Sequence, residues 1–323
     1  MANSIAQAEV PLKQTNTVLK NFTQTLKNTV KWEISSNIVH GLESALSGAV
    51  SYVKNLNSSL NDIRIVTGYS ADDMTRFAQQ ANKAAKELST TTKAYTDASL
   101  IYFQQGDSAE MVAKKAAITT KAANVAFSAS AEEMSEMLTA VWNSYQVGEA
   151  ELEKYVDIMA ALGAATATST EEIATAMQKV AATANTVGVS MEQMSSIIAT
   201  VASVTREAPE SIGTSFKTIL ARMGDLKVGK TLEDGMSLGT VSSQLAAVGV
   251  NILDTTGELK DMGGVIEELM GKWQGMTSAE KTAIAQAVAG KRQYTQLMAL
   301  MENQDMYKES MNIAGSAKGT LQK

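Results

Sequence analysis

Residues 130–148 read SAEEMSEMLTAVWNSYQVG. Ser130 places a short oxygen side chain at a helix start, and Glu133 follows three residues later. That pairing satisfies two backbone N–H groups that a helix's first turn leaves without partners. Gly148 supplies a stop, because glycine enters the left-handed conformation at little cost. Between start and stop runs an apolar-periodic stretch with Trp142 on its apolar face. The same grammar recurs at Ser70–Asp73, Asp107–Glu110, Ser169–Glu172, Ser190–Gln193 and Thr277–Glu280. Gly106, Gly163, Gly188 and Gly290 are interleaved as stops. Helices of roughly 12–20 residues are therefore expected between about 70 and 222, joined by turns of a few residues. The starts are irregularly spaced, which speaks for shared capping chemistry and not for a solenoid.

Composition agrees with an all-α chain. Of the 323 residues 45% are hydrophobic, but only 5% are aromatic, so the core must rest on Ala, Val, Leu, Ile and the 18 Met. Ala-rich faces, such as Ala113, Ala116 and Ala117 or Ala174, Ala181 and Ala184, allow helices to approach closely. The 2 Pro, Pro11 and Pro209, leave almost the whole chain free to be helical.

Upstream of residue 68 the pattern changes. Leu42, Leu46, Ala49, Val53, Leu56, Leu60 and Ile63 alternate spacings of four and three, a seam of period 3.5. Leu12, Leu19 and Leu26 give a weaker seam before it. Residues 1–67 are expected to form a long helical or coiled-coil segment ending near Gly68, with the seam as a self-association surface. Residues 68–222 would form a compact helical module. Residues 223–262 read as a loop and a small β-hairpin near 248–262, where Val250 and Ile252 alternate before Asp254-Thr-Thr-Gly257. Residues 263–323 return to helix and are expected to continue in a longer parent chain. There Leu297, Leu300, Met301 and Met311 give a long apolar face, expected to serve as a partner surface. Gly290 should close one helix and Lys291 to about Ile313 form the next.

Several functions are excluded or weakened. With no Cys there is no disulfide, thiolate site or Cys nucleophile. The single His40 excludes any two-His metal site. A net charge of −6 argues against broad binding to the nucleic acid backbone. No apolar run reaches the roughly 18 residues that a membrane-spanning helix needs. Acid pairs such as Glu132/Glu133 and Glu171/Glu172 fall in first helical turns, where they complement the helix dipole, and are read as caps and not as a catalytic pair. GDLKVGKT (224–231) matches G-x-x-x-x-G-K-[ST], but helix precedes it where a phosphate loop needs a strand, so it is read as a chance match. The residues imply no enzyme, cofactor or metal site. The methionines at 298, 301, 306 and 311 are core or interface filling.

Five blocks then carry a resemblance. They are LNDIRIVTGYSADDMTRFAQQANKAAKELSTTTKAYTDASLIYFQQG (60–106), YVDIMAALGAATATSTEEIA (155–174), TVGVSMEQMSSIIATVASVTREAPESIGTSFKTILARM (186–223), LEDGMSLGTVSSQLAAVGVNILDTTGELKDMGGVIEELMGKW (232–273) and AVAGKRQYTQLMALMEN (287–303). In this order they resemble the amino-terminal conserved region of tailed-phage tape-measure proteins. The resemblance implies a structural protein of the virion tail, made in the host cytoplasm and lying in the tube lumen. It would set tail length and leave during DNA ejection. Implied partners are further copies of itself, with a trimer expected, the tail-tube protein, tail-tip or baseplate proteins and tail assembly chaperones. No direct sequence-specific contact with nucleic acid is implied, and the host membrane is a partner only at ejection. The other reading of the same helices is a membrane-active module that forms a channel at genome delivery. A single straight helix of the whole chain would span about 480 Å at 1.5 Å per residue, whereas capped short helices make it much more compact.

Overall fold

The structure, a computed structural model, describes residues 42–125, 129–224, 238–256 and 258–320. The chain divides into two units, Met1–Val53 and Lys54–Lys323. Thirteen α-helices are present among the described residues, and no strand or sheet. In chain order they are α1 (Leu42–Thr67), α2 (Ala71–Glu87), α3 (Thr92–Gln104), α4 (Ala109–Val125), α5 (Ala131–Ser144), α6 (Leu152–Ala165), α7 (Thr170–Thr186), α8 (Met191–Thr205), α9 (Pro209–Gly224), α10 (Leu238–Ala247), α11 (Met262–Trp273), α12 (Ser278–Glu302) and α13 (Gln304–Gly315). The all-α expectation holds.

The starts fall where the caps are written. Ser70, Ser130, Ser169, Ser190 and Thr277 each accept the backbone N–H of the residue three positions on, and that residue's side chain accepts the cap's own N–H. The sixth start is displaced by one residue. Ser108 caps α4 by accepting the N–H of Met111 at 3.3 Å, and Asp107 instead takes Lys115 Nζ at 2.7 Å. The stops are mixed. Gly68, Gly106 and Gly188 have positive φ. Gly163 does not end a helix: it lies inside α6, where a Cβ would stand 2.4 Å from the backbone nitrogen of Thr170. It is needed for close approach to the start of α7, a demand made by another element.

Helix α8 is the centre of the second unit. Met191 and every residue from Met194 to Ala202 are buried. A helix apolar on all sides belongs in the interior, and α8 is packed by α6, α7, α9, α12 and α13. Among the described residues α7 and α9 share the most extensive helix–helix contact. Its crossing point is Gly213, where a Cβ would lie 2.4 Å from the carbonyl oxygen of Ala176. Phe216, Ile219 and Leu220 then close the core beside it. Trp142 and Trp273 are buried, as their apolar faces predict.

Two expectations are corrected in the second half. The hairpin near 248–262 reduces to one antiparallel bridge between Leu253 and Leu259, with Lys260 N donating to Ile252 O and Asp254 N to Glu258 O. Val250 and Ile252 turn into the helical core instead of extending a ladder. Gly290 does break the helix direction, as a kink with φ 74° inside α12. Arg222 from α9 donates to the carbonyls of Ala287 and Val288 just before it, at 3.4 Å each. The helix expected from Lys291 to Ile313 is two, because the chain turns at Asn303 and α13 folds back onto α8 and α6.

Candidate functional site

The expected self-association seam ends inside the molecule. Ile63 is fully buried in the core, and Leu56 and Leu60 are half-buried. The side chains of Leu42, Leu46, Ala49 and Val53 lie outside the described residues. On the same face Ser59 Oγ donates to Asp97 Oδ1 at 2.6 Å, which fastens α1 to α3. The last turn of α1 turns two other residues outward: Ile65 is 78% exposed and Val66 42%.

The expected partner surface at the other end does not stand open. Leu297, Leu300 and Met301 are fully buried, and Met311 is half-buried against the core. The sequence made their apolar face legible, but in the fold α12 packs against α8, α9 and α10, and these side chains lie in the shared core. Two polar contacts hold the segment that follows. Tyr307 donates its hydroxyl to Glu267 Oε1 at 2.8 Å. The N–H of Gly319 donates to the buried carboxylate of Asp157 at 2.7 Å, which answers the high cost of leaving an interior charge without partners. Of the methionines singled out, Met306 alone reaches 36% exposure.

The carboxylates at helix starts do capping work. Backbone and side-chain hydrogen bonds from Ser130 hold Glu133 below the ordinary glutamate range. The side-chain bond from Thr168, followed by the backbone of Ser169, does the same for Glu172. Among the described residues no three His, Asp or Glu side chains are grouped to hold a metal ion. His40 and the phosphate-loop lookalike after Gly224 lie outside the described residues.

Two clefts remain. One, of about 290 Å³, is polar and runs between α1, α3 and α5, with Ser59, Asp62, Lys93, Asp97 and Glu132 on its walls. Lys93 is paired with Asp97 there. The other, of about 340 Å³, is an aromatic groove at the corner of α2, α3 and α4. Its rings are Tyr69, Phe77, Phe103 and Tyr95, the last buried with its hydroxyl donating to the carbonyl of Ala113 at 3.3 Å. Tyr69 and Phe77 meet Phe103 edge-on, with centroids 5.8 Å and 5.7 Å away, the arrangement that aromatic quadrupoles favour. Ala81 and Val112 extend the floor, and the Arg76–Asp73 ion pair stands at the rim. Sequence reading missed this groove. Its only signal was a concentration of rings in an aromatic-poor chain, and three separate segments must meet to assemble it.

A family model described as phage-related minor tail protein matches residues 78–290. The chain belongs to that family. Comparison with curated proteins and with solved structures gives no match. The minor tail protein region begins within α2 and stops at the Gly290 kink, so it holds all of α3 to α11 and the first half of α12. The remainder of α12 and all of α13 lie beyond it, yet Leu297, Leu300, Tyr307 and Ala314 share the core with it. A phage tail role for the chain rests on this match.

Proposed function

We propose that the chain is the structural tape-measure protein of a tailed phage or phage-like particle. It works from the lumen of the tail tube, organises tube assembly and tail length, and leaves during DNA ejection. It acts as a trimer, with the tail-tube protein, tail-tip or baseplate proteins and assembly chaperones as partners, and its role is structural and not catalytic. One observation carries the reading. The five tape-measure-like blocks between 60 and 303 contribute helices to one shared core, and the minor tail protein match covers most of the same stretch. A division of labour follows from this reading. Among the described residues the longest helix, α1, has 26 residues, roughly 39 Å at 1.5 Å per residue. The compact unit is thus an anchor for assembly, and a measuring length has to come from extended helix.

Electron cryomicroscopy of tail particles carrying a label on this chain tests the proposal. Axial density for the label inside the tube is expected. A label on the outer surface of the tail would overturn the lumen placement. Loss of the chain should leave tube protein unassembled or assembled without a defined length. Tails of normal length in its absence would remove the tape-measure reading and leave only the family.

A further inference from the structure

Lys281 and Glu302 lie near the two ends of the same helix, α12. They are 21 residues apart in the chain, which along a straight helix is roughly 32 Å. Yet Lys281 Nζ and Glu302 Oε1 stand 2.9 Å apart. The kink at Gly290 is therefore a reversal, and α12 is a hairpin of two arms, residues 278–289 and 291–302. Inside α12 only Gly290 has non-helical dihedrals, φ 74° and ψ 169°, a region essentially reserved for glycine. Corners between antiparallel helices ordinarily use a loop of about 2–5 residues. Here one residue makes the corner, so a change at Gly290 alone would join the arms into one helix of 25 residues.

Three sets of polar contacts hold the reversal. Arg222 of α9 donates to the carbonyls of Ala287 and Val288. Those carbonyls would take the N–H groups of Lys291 and Arg292 if the helix ran on, so Arg222 stands in for the missing turn. Glu302 accepts from Lys281 and from the indole N–H of Trp273, at 2.9 Å each. Gln296 on the return arm donates to both carboxylate oxygens of Glu207, at 3.1 Å and 2.9 Å. The minor tail protein match ends at the same residue, 290.

We infer that Gly290 is a hinge with two settings. In the first the hairpin is closed and latched by Arg222, Glu207 and the Trp273–Lys281–Glu302 cluster. In the second the arms form one continuous helix of roughly 38 Å, and α13 leaves α8 and α6 together with the return arm. Burial of Leu297, Leu300 and Met301 favours the first setting in the isolated chain. The second has a pattern of its own. Ala287, Gly290, Tyr294, Leu297 and Met301 alternate spacings of three and four, a seam of period 3.5 that runs on one face only when the helix is straight.

Two measurements on the full chain test the hinge. In native-state hydrogen exchange, residues 291–315 should open as one unit, ahead of α7 and α9. Gly290→Ala should speed that opening by about tenfold or more, because alanine is strained in the closed setting and favoured in a straight helix. Exchange in α3 to α5 should not change. The chain contains no cysteine, so spin labels can be carried on Ala279→Cys and Thr295→Cys, both exposed and one on each arm. Pulsed electron paramagnetic resonance should give a single short distance in this labelled chain. Adding Gly290→Ala with Arg222→Ala should bring in a second, narrow peak near the straight-helix separation of roughly 24 Å. Residues 291–315 exchanging only together with α7 and α9 would overturn the inference. So would an unchanged short distance in the doubly substituted chain, or a featureless spread in place of the second peak. Both readouts lie within one chain, so a lumen placement disproved in tail particles would leave them standing.

Discussion

The crossing of α7 and α9 and the corner of α2, α3 and α4 are both made of short capped helices, but they are finished differently. At the crossing the small residues Gly213 and Ala176 bring the two backbones together, and Ile212, Phe216, Ile219 and Leu220 are all fully buried around them. At the corner, rings hold the helices apart. Tyr69 and Phe77 are only half-buried, and a groove of about 340 Å³ stays open. Interiors pack to the density of organic crystals, so the crossing has no room for change and the corner does. The difference separates a surface that holds this chain together from one left to be covered.

That contrast can be broken by measurement. The largest effect is expected from Phe216→Ala, which empties the crossing and should cost about 3–5 kcal/mol in urea unfolding. Gly213→Ala comes next. Helix propensity alone would favour alanine by about 1 kcal/mol, but the new Cβ meets Ala176 O at 2.4 Å, so a net loss of about 1–3 kcal/mol is expected. A gain in stability would show that the crossing is looser than described. Ser130→Ala and Ser190→Ala remove caps common to both regions and should each cost about 0.5–2 kcal/mol, with an unchanged dependence on denaturant. Phe77→Ala should cost least, about 0.5–1.5 kcal/mol for the lost ring pair. If Phe77→Ala matched Phe216→Ala, the corner would be core and not a surface.

Acid sharpens the comparison from another side. Hydrogen bonds from Ser70, Ser130 and Thr277 hold Asp73, Glu133 and Glu280 below the ordinary carboxylate range, and Glu172 is held there first by Thr168 and then by its cap Ser169. A carboxyl group lowered in the folded state contributes stability that is complete above its unfolded value. That contribution disappears as pH falls through the lower, folded value. The melting temperature should therefore hold steady down to near the ordinary glutamate value of 4.5 and fall below it. The Ser130→Ala variant should show a shallower fall, because Glu133 would then titrate nearer its ordinary value.

What could be read in advance follows a rule of distance. Capping boxes lie within four residues, so five of them are legible as written. The displaced one fails because Ser108 and Asp107 both offer an oxygen, and only the approach of Lys115 on the next turn decides between them. The two glycines of the α6–α7 and α7–α9 contacts carry no local sign of their purpose. The apolar face of Leu297, Leu300 and Met301 is legible as a face, but the sequence does not say who covers it. The candidate groove is less legible still, since Tyr69, Phe77 and Phe103 have no common period.

By itself the sequence determined the helical class, the five helix starts written as capping boxes, the break at Gly290 and membership in a tail protein family. These depend on backbone groups and side chains that are neighbours along the chain, where the local chemistry is complete. Only the tertiary structure decided that Ile63 turns inward while Ile65 and Val66 turn outward, that the C-terminal apolar face is buried in the shared core, and that four rings line one groove. Those outcomes depend on which helix lies opposite, and burial is a property of the pair of surfaces and not of either one.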